Sequence, residues 1–376
     1  MNFITRTKQG IFRCLAFCLS VMTWSVTSAQ ENPQSLPDSL AADTASAPRV
    51  SWYASVTTEM PWNISDGRVG WANYIEAGAE IGLWKGGSLN MDAIATYEYH
   101  NPVLGDLQWF SNITIGANKA FRLMQFELSQ QLGDKGLVSL GLHNNDLDCF
   151  NSPYTSLFTN SSHTSFPTLA YNFPVATAPV AALALHLEYQ PIEKLTIKET
   201  LYNGMADDRL DHQFRFCPKG DGLVNITSIQ YSDQERYTYS LGAGLSNSSM
   251  ENEDTGEPEK PFQYALWLLA EQELCTIGKS GLGLMLQGSI APKESSYCSH
   301  YWGAGLVCNR LGNMEAQVGL AVNRVLMSDG RETDIELTTT LPVCKYLSLQ
   351  PALHCINTNG TYKMAALIRA SFEIGN

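Results

Sequence analysis

The chain has 376 residues, 44% of them hydrophobic, with 37 acidic against 24 basic side chains and a formal net charge of −13. That balance excludes the basic footprint of a nucleic-acid binder and names no partner, because acidity is also a means of staying solvated. Nine cysteines without CxxC or Cys/His spacing offer no metal framework.

In chain order, residues 1–29 read as a secretory signal. Arg6, Lys8 and Arg13 stand without an acid, an apolar run follows from about Cys14 to Trp24, and Thr27 and Ala29 suit a signal-peptidase site. A lipoprotein reading would use Cys18, but bulky Phe17 precedes it and the apolar run continues beyond it. Cleavage removes three basic residues, so the net charge falls from −13 to −16. The cysteines left are Cys149, Cys217, Cys275, Cys298, Cys308, Cys344 and Cys355. Several fall in strand-like stretches, where cysteine behaves as a small apolar side chain, so mostly free thiols are expected. Residues 30–48 are polar and proline-bearing and read as a flexible leader, and 49–376 as a single domain.

Beyond the signal no run of about 18 apolar residues exists, so no transmembrane helix is expected. An exported chain without one is either soluble or a closed barrel, and only a barrel also spans a membrane with every backbone group paired. From Val50 onward the pattern is strand, turn, strand, punctuated by "WKGGS", "LGDKG", "YNG", "IGKSG", "RLGN", "MSDG" and "NTNG". Sixteen segments are expected, beginning near residues 50, 71, 88, 121, 137, 181, 194, 222, 235, 262, 282, 297, 313, 332, 345 and 362. Most alternate with period two. Leu183, Leu185, Leu187 and Tyr189 oppose His186 and Glu188; Ile335, Leu337 and Leu341 oppose Asp334, Glu336, Thr338 and Thr340. In the last segment Met364, Ala366, Ile368, Ala370 and Phe372 share a face, with Leu367 out of phase. Two further segments resist the pattern: Glu199 is in phase with Leu195, Ile197 and Leu201, and "FQYALWLLA" is apolar on both faces.

The apolar faces are rich in alanine and glycine, unlike the bulky interlocking face of a β-sandwich. The fold expected is therefore all-β, a transmembrane antiparallel β-barrel of about sixteen strands, wide enough for an aqueous channel. Catalysis is not expected. The seven histidines are scattered, no Gly-x-Ser-x-Gly elbow is present, and nothing calls for a cofactor or a metal.

Between Leu104 and Tyr202 the chain resembles the carbohydrate-selective porins, the OprB family. The resemblance rests on "GDLQ…SN" (Gly105, Asp106, Leu107, Gln108, Ser111, Asn112), "MQFELSQQLGDKG" with Glu127, "GLHNNDLDCF", and Phe158, Asn160 and Ser161 before Pro167, Pro174 and Pro179. Near the end "YLSLQPALHCINTNG" resembles the family's "LSLQP" strand, with Thr358 and Asn359 where Pro-Gly is usual. The resemblance implies facilitated diffusion of carbohydrates or other small polar solutes through the outer membrane of a Gram-negative bacterium. It also implies contact with outer-membrane lipid, and it leaves homo-oligomer formation open.

A sugar constriction needs hydrogen-bonding groups beside an aromatic face, held weakly enough to let the solute leave. Two stretches supply such groups. One offers Asp106, Gln108, Trp109, Phe110 and Asn112; the other offers His143, Asn144, Asn145, Asp146, Asp148, Asn151, Tyr154, Asn160 and His163, in a continuation long enough to fold inward. Register gives a competing expectation, because Asn144, Asp146 and Asp148 continue the face of Val138, Leu140 and Leu142 and would then be rim residues. Arg122, Arg215 and Arg369 are the candidate basic groups. The other reading is a barrel with a plugged lumen and a surface binding or structural role, suggested by the long acidic segment 246–260.

Overall fold

The structure, a computed structural model, describes residues 50–376 apart from 106, 117, 148–149, 151, 207–208, 210–211, 234–235, 252–257, 260 and 294–295. The signal and leader, Asp106, Asp148, Cys149, Asn151 and part of the acidic segment lie outside the described residues. The strands are β1 (Val50–Asn63), β2 (Trp71–Trp84), β3 (Gly87–Tyr99), β4 (Lys119–Leu132), β5 (Gly136–His143), β6 (Ala182–Ile192), β7 (Leu195–Asn203), β8 (Leu223–Ser232) and β9 (Tyr237–Ser246). A separate small hairpin, β10 (Met250–Glu251) and β11 (Pro258–Glu259), follows. Then come β12 (Gln263–Ile277), β13 (Ser280–Ile290), β14 (Cys298–Leu311), β15 (Met314–Met327), β16 (Gly330–Cys344), β17 (Leu347–Thr358) and β18 (Thr361–Gly375).

Sixteen of these, all but β10 and β11, form one closed antiparallel barrel in which each strand pairs with its neighbours and β18 closes onto β1. Closure leaves no sheet edge and pairs the backbone without help from solvent. The sixteen segments expected from the sequence all start within two residues of these strands. Both ends of the described barrel lie on the side of the short turns, such as 85–86, 133–135 and 345–346, while the long connections lie at the opposite end. In outer-membrane barrels the short turns face the periplasm and the longer loops face outward.

Alternation produces two faces. Outward stand exposed apolar side chains such as Leu241, Leu286, Leu320, Leu337 and Ile368, while Gln287, Asn323, Glu336 and Arg369 point inward and are buried. Aromatics band the turn end of the outer surface, where Tyr231, Tyr237 and Tyr239 stack in a row at centroid distances of 5.6 Å. Cys217, Cys275, Cys298, Cys308, Cys344 and Cys355 are free thiols.

The segments that resisted the pattern now have causes. On β12, Tyr264, Leu266 and Leu268 face outward, and Ala265, Trp267 and Leu269 face inward against apolar residues of the loop between β5 and β6. Leu367 and Ala365 likewise point inward, packed with Val103, Leu104 and Phe110 of the loop between β3 and β4. Glu199 keeps its register and faces outward, opposite Thr227 on β8. Its carboxylate accepts hydrogen bonds from Asn225 Nδ2 and Thr227 Oγ1, two outward residues of β8, so a polar triad sits within the apolar belt.

An ionised carboxylate on the lipid face costs stability even when paired. Glu199→Leu should therefore stabilise the barrel by about 1 kcal/mol against urea unfolding in lipid bilayers. Asn225 and Thr227 retain each other at 3.3 Å. A loss of stability would mean that the triad holds β7 to β8.

Candidate functional site

Two loops enter the lumen, residues 100–118 and 144–181. Among the described residues neither forms a named strand, so their backbone groups need partners other than a neighbouring strand. The inward carboxylates of the wall supply them. Glu332 on β16 accepts the N–H groups of Leu107 and Gln108 at 3.0 Å each, and Glu98 on β3 accepts those of Ile115 and Gly116 at 2.7 and 3.0 Å. In the longer loop, Glu336 takes the N–H of Thr159 at 2.7 Å and of Asn160 at 3.1 Å. On β12, Glu271 takes those of Tyr154 and Thr155 at 3.0 Å each, with the Ser152 hydroxyl.

His354 extends this clasp. Its Nδ1 bonds Asp334 at 2.8 Å and its Nε2 meets Thr159 Oγ1 at 3.0 Å. The ligating atoms of Asp334, Glu336 and His354 lie within 4.8 Å of one another, close enough for an ion, yet Thr159 and Asn160 already engage all three side chains. The loops also hold each other, since Asn112 N–H donates to Thr159 O at 2.7 Å and Ser161 N–H to Trp109 O at 2.8 Å.

The longer loop buries an apolar core against one side of the wall. Phe150, Tyr154, Leu157, Phe158, Phe166, Leu169 and Phe173 pack on inward residues of β6 to β8 and β12 to β15. Phe166 stacks on Trp267 at 5.1 Å. Gly283 and Gly319 make room for this core: a Cβ there would come within 2.2 Å of Tyr154 and 2.8 Å of Phe158. His163, in the short helix Ser161–Thr164, is buried beneath it. Asn323 Nδ2 donates to His163 Nε2, and His163 Nδ1–H donates to Gln287 Oε1 at 3.0 Å. This is the neutral ring, and burial lowers the His163 pKa to match.

Space therefore remains on the other side, along β1, β2 and β18. There the inward side chains Tyr53, Ser55, Thr57, Tyr74, Glu76, Ser371 and Glu373 are only half-buried. Tyr53 donates to Asp92 and lies 3.4 Å from Glu76, across Gly78, whose missing side chain leaves room for the ring.

The candidate residues divide accordingly. Strand β5 ends at His143, so the rim expectation fails for Asn144 and Asp146: the chain turns inward, with Asn145 N–H on Ala176 O at 2.6 Å. His143 pairs with Glu127 at 2.9 Å and stacks on His186. Asn145 and Asn160 are buried among loop anchors, and Asn160 caps the short helix while donating to Asp334 at 2.8 Å. Asn112 Oδ1 accepts from Arg369, which is itself paired with Glu59 at 2.8 Å. Arg122 shares the inward face of Ile94, whereas Arg215 sits in the β7–β8 loop on Asp221. Sequence reasoning missed the wall carboxylates as anchors. Their signal was present as acids on polar faces.

Gln108, Trp109 and Phe110 line a cavity of about 110 Å³ beneath the shorter loop, with Asn101, Pro61 and Val103. Among the described residues no charged side chain lines it. The carboxamide O and N of both Gln108 and Asn101 are buried without hydrogen-bond partners.

The model of the carbohydrate-selective porin, OprB family, matches residues 67–366. The chain belongs to this family. It is an outer-membrane barrel with a porin's architecture and a transport rather than a catalytic role. Among solved structures, the high-pH structure of Pseudomonas putida OprB is similar over 86% of this chain and 94% of its own, at 16% identity and a TM-score of 0.75. An anion-selective porin from Comamonas acidovorans (12% identity, 86% and 99% coverage, TM-score 0.58) and the trimer form of OmpT from Vibrio cholerae (11%, 86% and 99%, 0.54) are also similar. At these identities the likeness is one of fold. No curated protein matches the chain.

Within this OprB-family lumen, Asp146 lies in electrostatic reach of Tyr74 and Glu76 on β2. Burial pushes its carboxyl up to about 6, opposed by the hydrogen bond from Ala178 N–H. A raised carboxyl is charged above that value and neutral below it, so cation preference should fall as the pH drops from 7 through 6 to 5. Reversal potentials in planar bilayers measure this, and Asp146→Asn should flatten the step. Separately, Glu336→Gln removes a charged acceptor from two backbone amides and should weaken the clasp by about 2 kcal/mol. The expected readout is noisier open-channel current; current as quiet as wild type would show that the clasp does not hold the loop.

Proposed function

We propose that this porin passes neutral carbohydrates by facilitated diffusion, in preference to anions. The observation that carries the reading is the cavity at Gln108, where two unpartnered carboxamides lie beside Trp109 and Phe110 and no described lining residue is charged. Carboxamides offer both donor and acceptor to a hydroxyl, and an aromatic face suits the apolar face of a pyranose ring. Acidic side chains along the free side of the lumen, Glu76 and Glu373 with Asp146 charged at neutral pH beside them, support exclusion of anions. A plugged barrel is the second reading, favoured by the apolar core that the long loop builds inside the wall. Planar-bilayer conductance separates the two, since a plugged barrel gives no steps.

Export by a signal cleaved after Ala29, leaving a leader and a barrel domain at 49–376, belongs to the same proposal. So does assembly into a homo-oligomer, as the trimer form of the Vibrio cholerae outer membrane protein OmpT suggests. N-terminal sequencing of the outer-membrane protein should begin at Gln30, and native electrophoresis reads the assembly. For selectivity, Trp109→Ala and Gln108→Ala should each weaken sugar block of ionic current roughly tenfold while leaving open conductance intact. Liposome swelling should rank monosaccharides above amino acids of similar size. Rates set by size alone would reduce the protein to a general diffusion pore.

A further inference from the structure

We propose that the outer surface of the barrel, at the loop end of β15 to β18, binds the phosphate of an outer-leaflet lipid headgroup through Arg324 and Arg331. The inference rests on the placement of the barrel in the outer membrane and not on what passes through it.

Arg324 shares the outward face of β15 with Leu320 and Leu326, and Arg331 that of β16 with Ile335 and Leu337. The register sets them side by side: Arg324 is opposite Thr333, Leu326 opposite Arg331, and Thr333 opposite Asn357. Together with Ile335 and Tyr362 they line an outward groove of about 380 Å³. Among the described residues neither guanidinium has an ion pair or a side-chain hydrogen bond. That is unusual in a chain of net charge −13, whose Arg369 and Arg215 are both paired with carboxylates. The nearby acids are otherwise engaged: Glu332 points inward to the shorter loop, and Asp329 accepts from Tyr297 at 2.8 Å.

Depth argues for a headgroup. Arg331 directly follows Gly330, where β16 begins, and Arg324 lies three residues before β15 ends, so both stand at the outer rim. The connections at this sector are the two-residue turns 328–329 and 359–360, and neither is long enough to fold over the groove. Below lie Leu320, Ile335 and Leu337, exposed and apolar, as a surface for acyl chains. Unpaired cations facing hydrocarbon are costly, whereas two planar guanidinium forks match a phosphate well. Thr333 and Tyr362 add neutral donors.

The test compares the wild-type barrel with an Arg324→Gln/Arg331→Gln variant, both refolded in detergent and checked for heat-modifiable migration. Binding of bis-phosphorylated lipid A, of its dephosphorylated form and of inorganic phosphate is followed by native mass spectrometry. The wild type should retain phosphorylated lipid A at least tenfold better than the variant does, and better than the dephosphorylated lipid. Arg324→Lys/Arg331→Lys should recover part of the binding, because charge remains and the fork does not. Equal retention by wild type and the Gln variant would overturn the proposal. So would full displacement of the lipid by inorganic phosphate, which would make this a free-anion site. Conductance should be unchanged in the variant, since both side chains face away from the lumen.

Discussion

A loop placed inside a barrel must pair its backbone N–H groups, and the rest of this structure depends on how that is done. Glu98, Glu271, Glu332 and Glu336 each accept two consecutive loop amides. A hydrogen bond to a charged acceptor is worth about 1.5–3 kcal/mol net. Each clasp therefore holds a turn of irregular chain at one place on a rigid wall. Without such acceptors the loops would have to leave the lumen or form strands, and the wall has no edge to receive one.

The clasps also decide where the channel runs. Glu271 and Glu336 draw the long loop to one side, where its aromatic residues find inward Ala265, Trp267, Leu269 and Ala321. The shorter loop is drawn to β16 by Glu332 and closes on Ala352, Ile356 and Leu367. What stays open lies opposite, along β1 and β2. The bore is set off-centre by attachment, and the apolar core inside the wall follows from that attachment.

The barrel was legible in the sequence because period-two alternation reports two solvents directly. Every start of a barrel strand was recoverable to within two residues. The failures of alternation were informative as well: Trp267 and Leu367 broke the pattern where an inward loop replaces water as the inner solvent. Glu199 broke it for another reason, a local triad with Asn225 and Thr227. The interior of the lumen was less legible. A polar residue in a loop reads the same whether it touches solute or anchors chain, and the Asn160 side chain turns out to anchor. Only long-range pairings, such as Asn160 with Asp334, separate the two roles.

The same distinction applies to charge. The excess of acids counted along the chain is not the charge a solute meets, because much of it is spent on backbone amides. Glu271, Glu332 and Glu336 are only 2%, 1% and 1% exposed beneath the loops they hold. Their oxygens are taken up locally by loop N–H groups, and Glu336 and Asp334 also join the neighbouring His354 network. Along the open side the half-buried acids Glu76 and Glu373 remain, with Asp146 beside them on the loop. A barrel can thus be strongly acidic in composition while no described residue lining the cavity at Gln108 and Trp109 is charged. On the proposed reading, uncharged contact at that cavity and exclusion of anions along the open side both follow from one division of labour among the carboxylates.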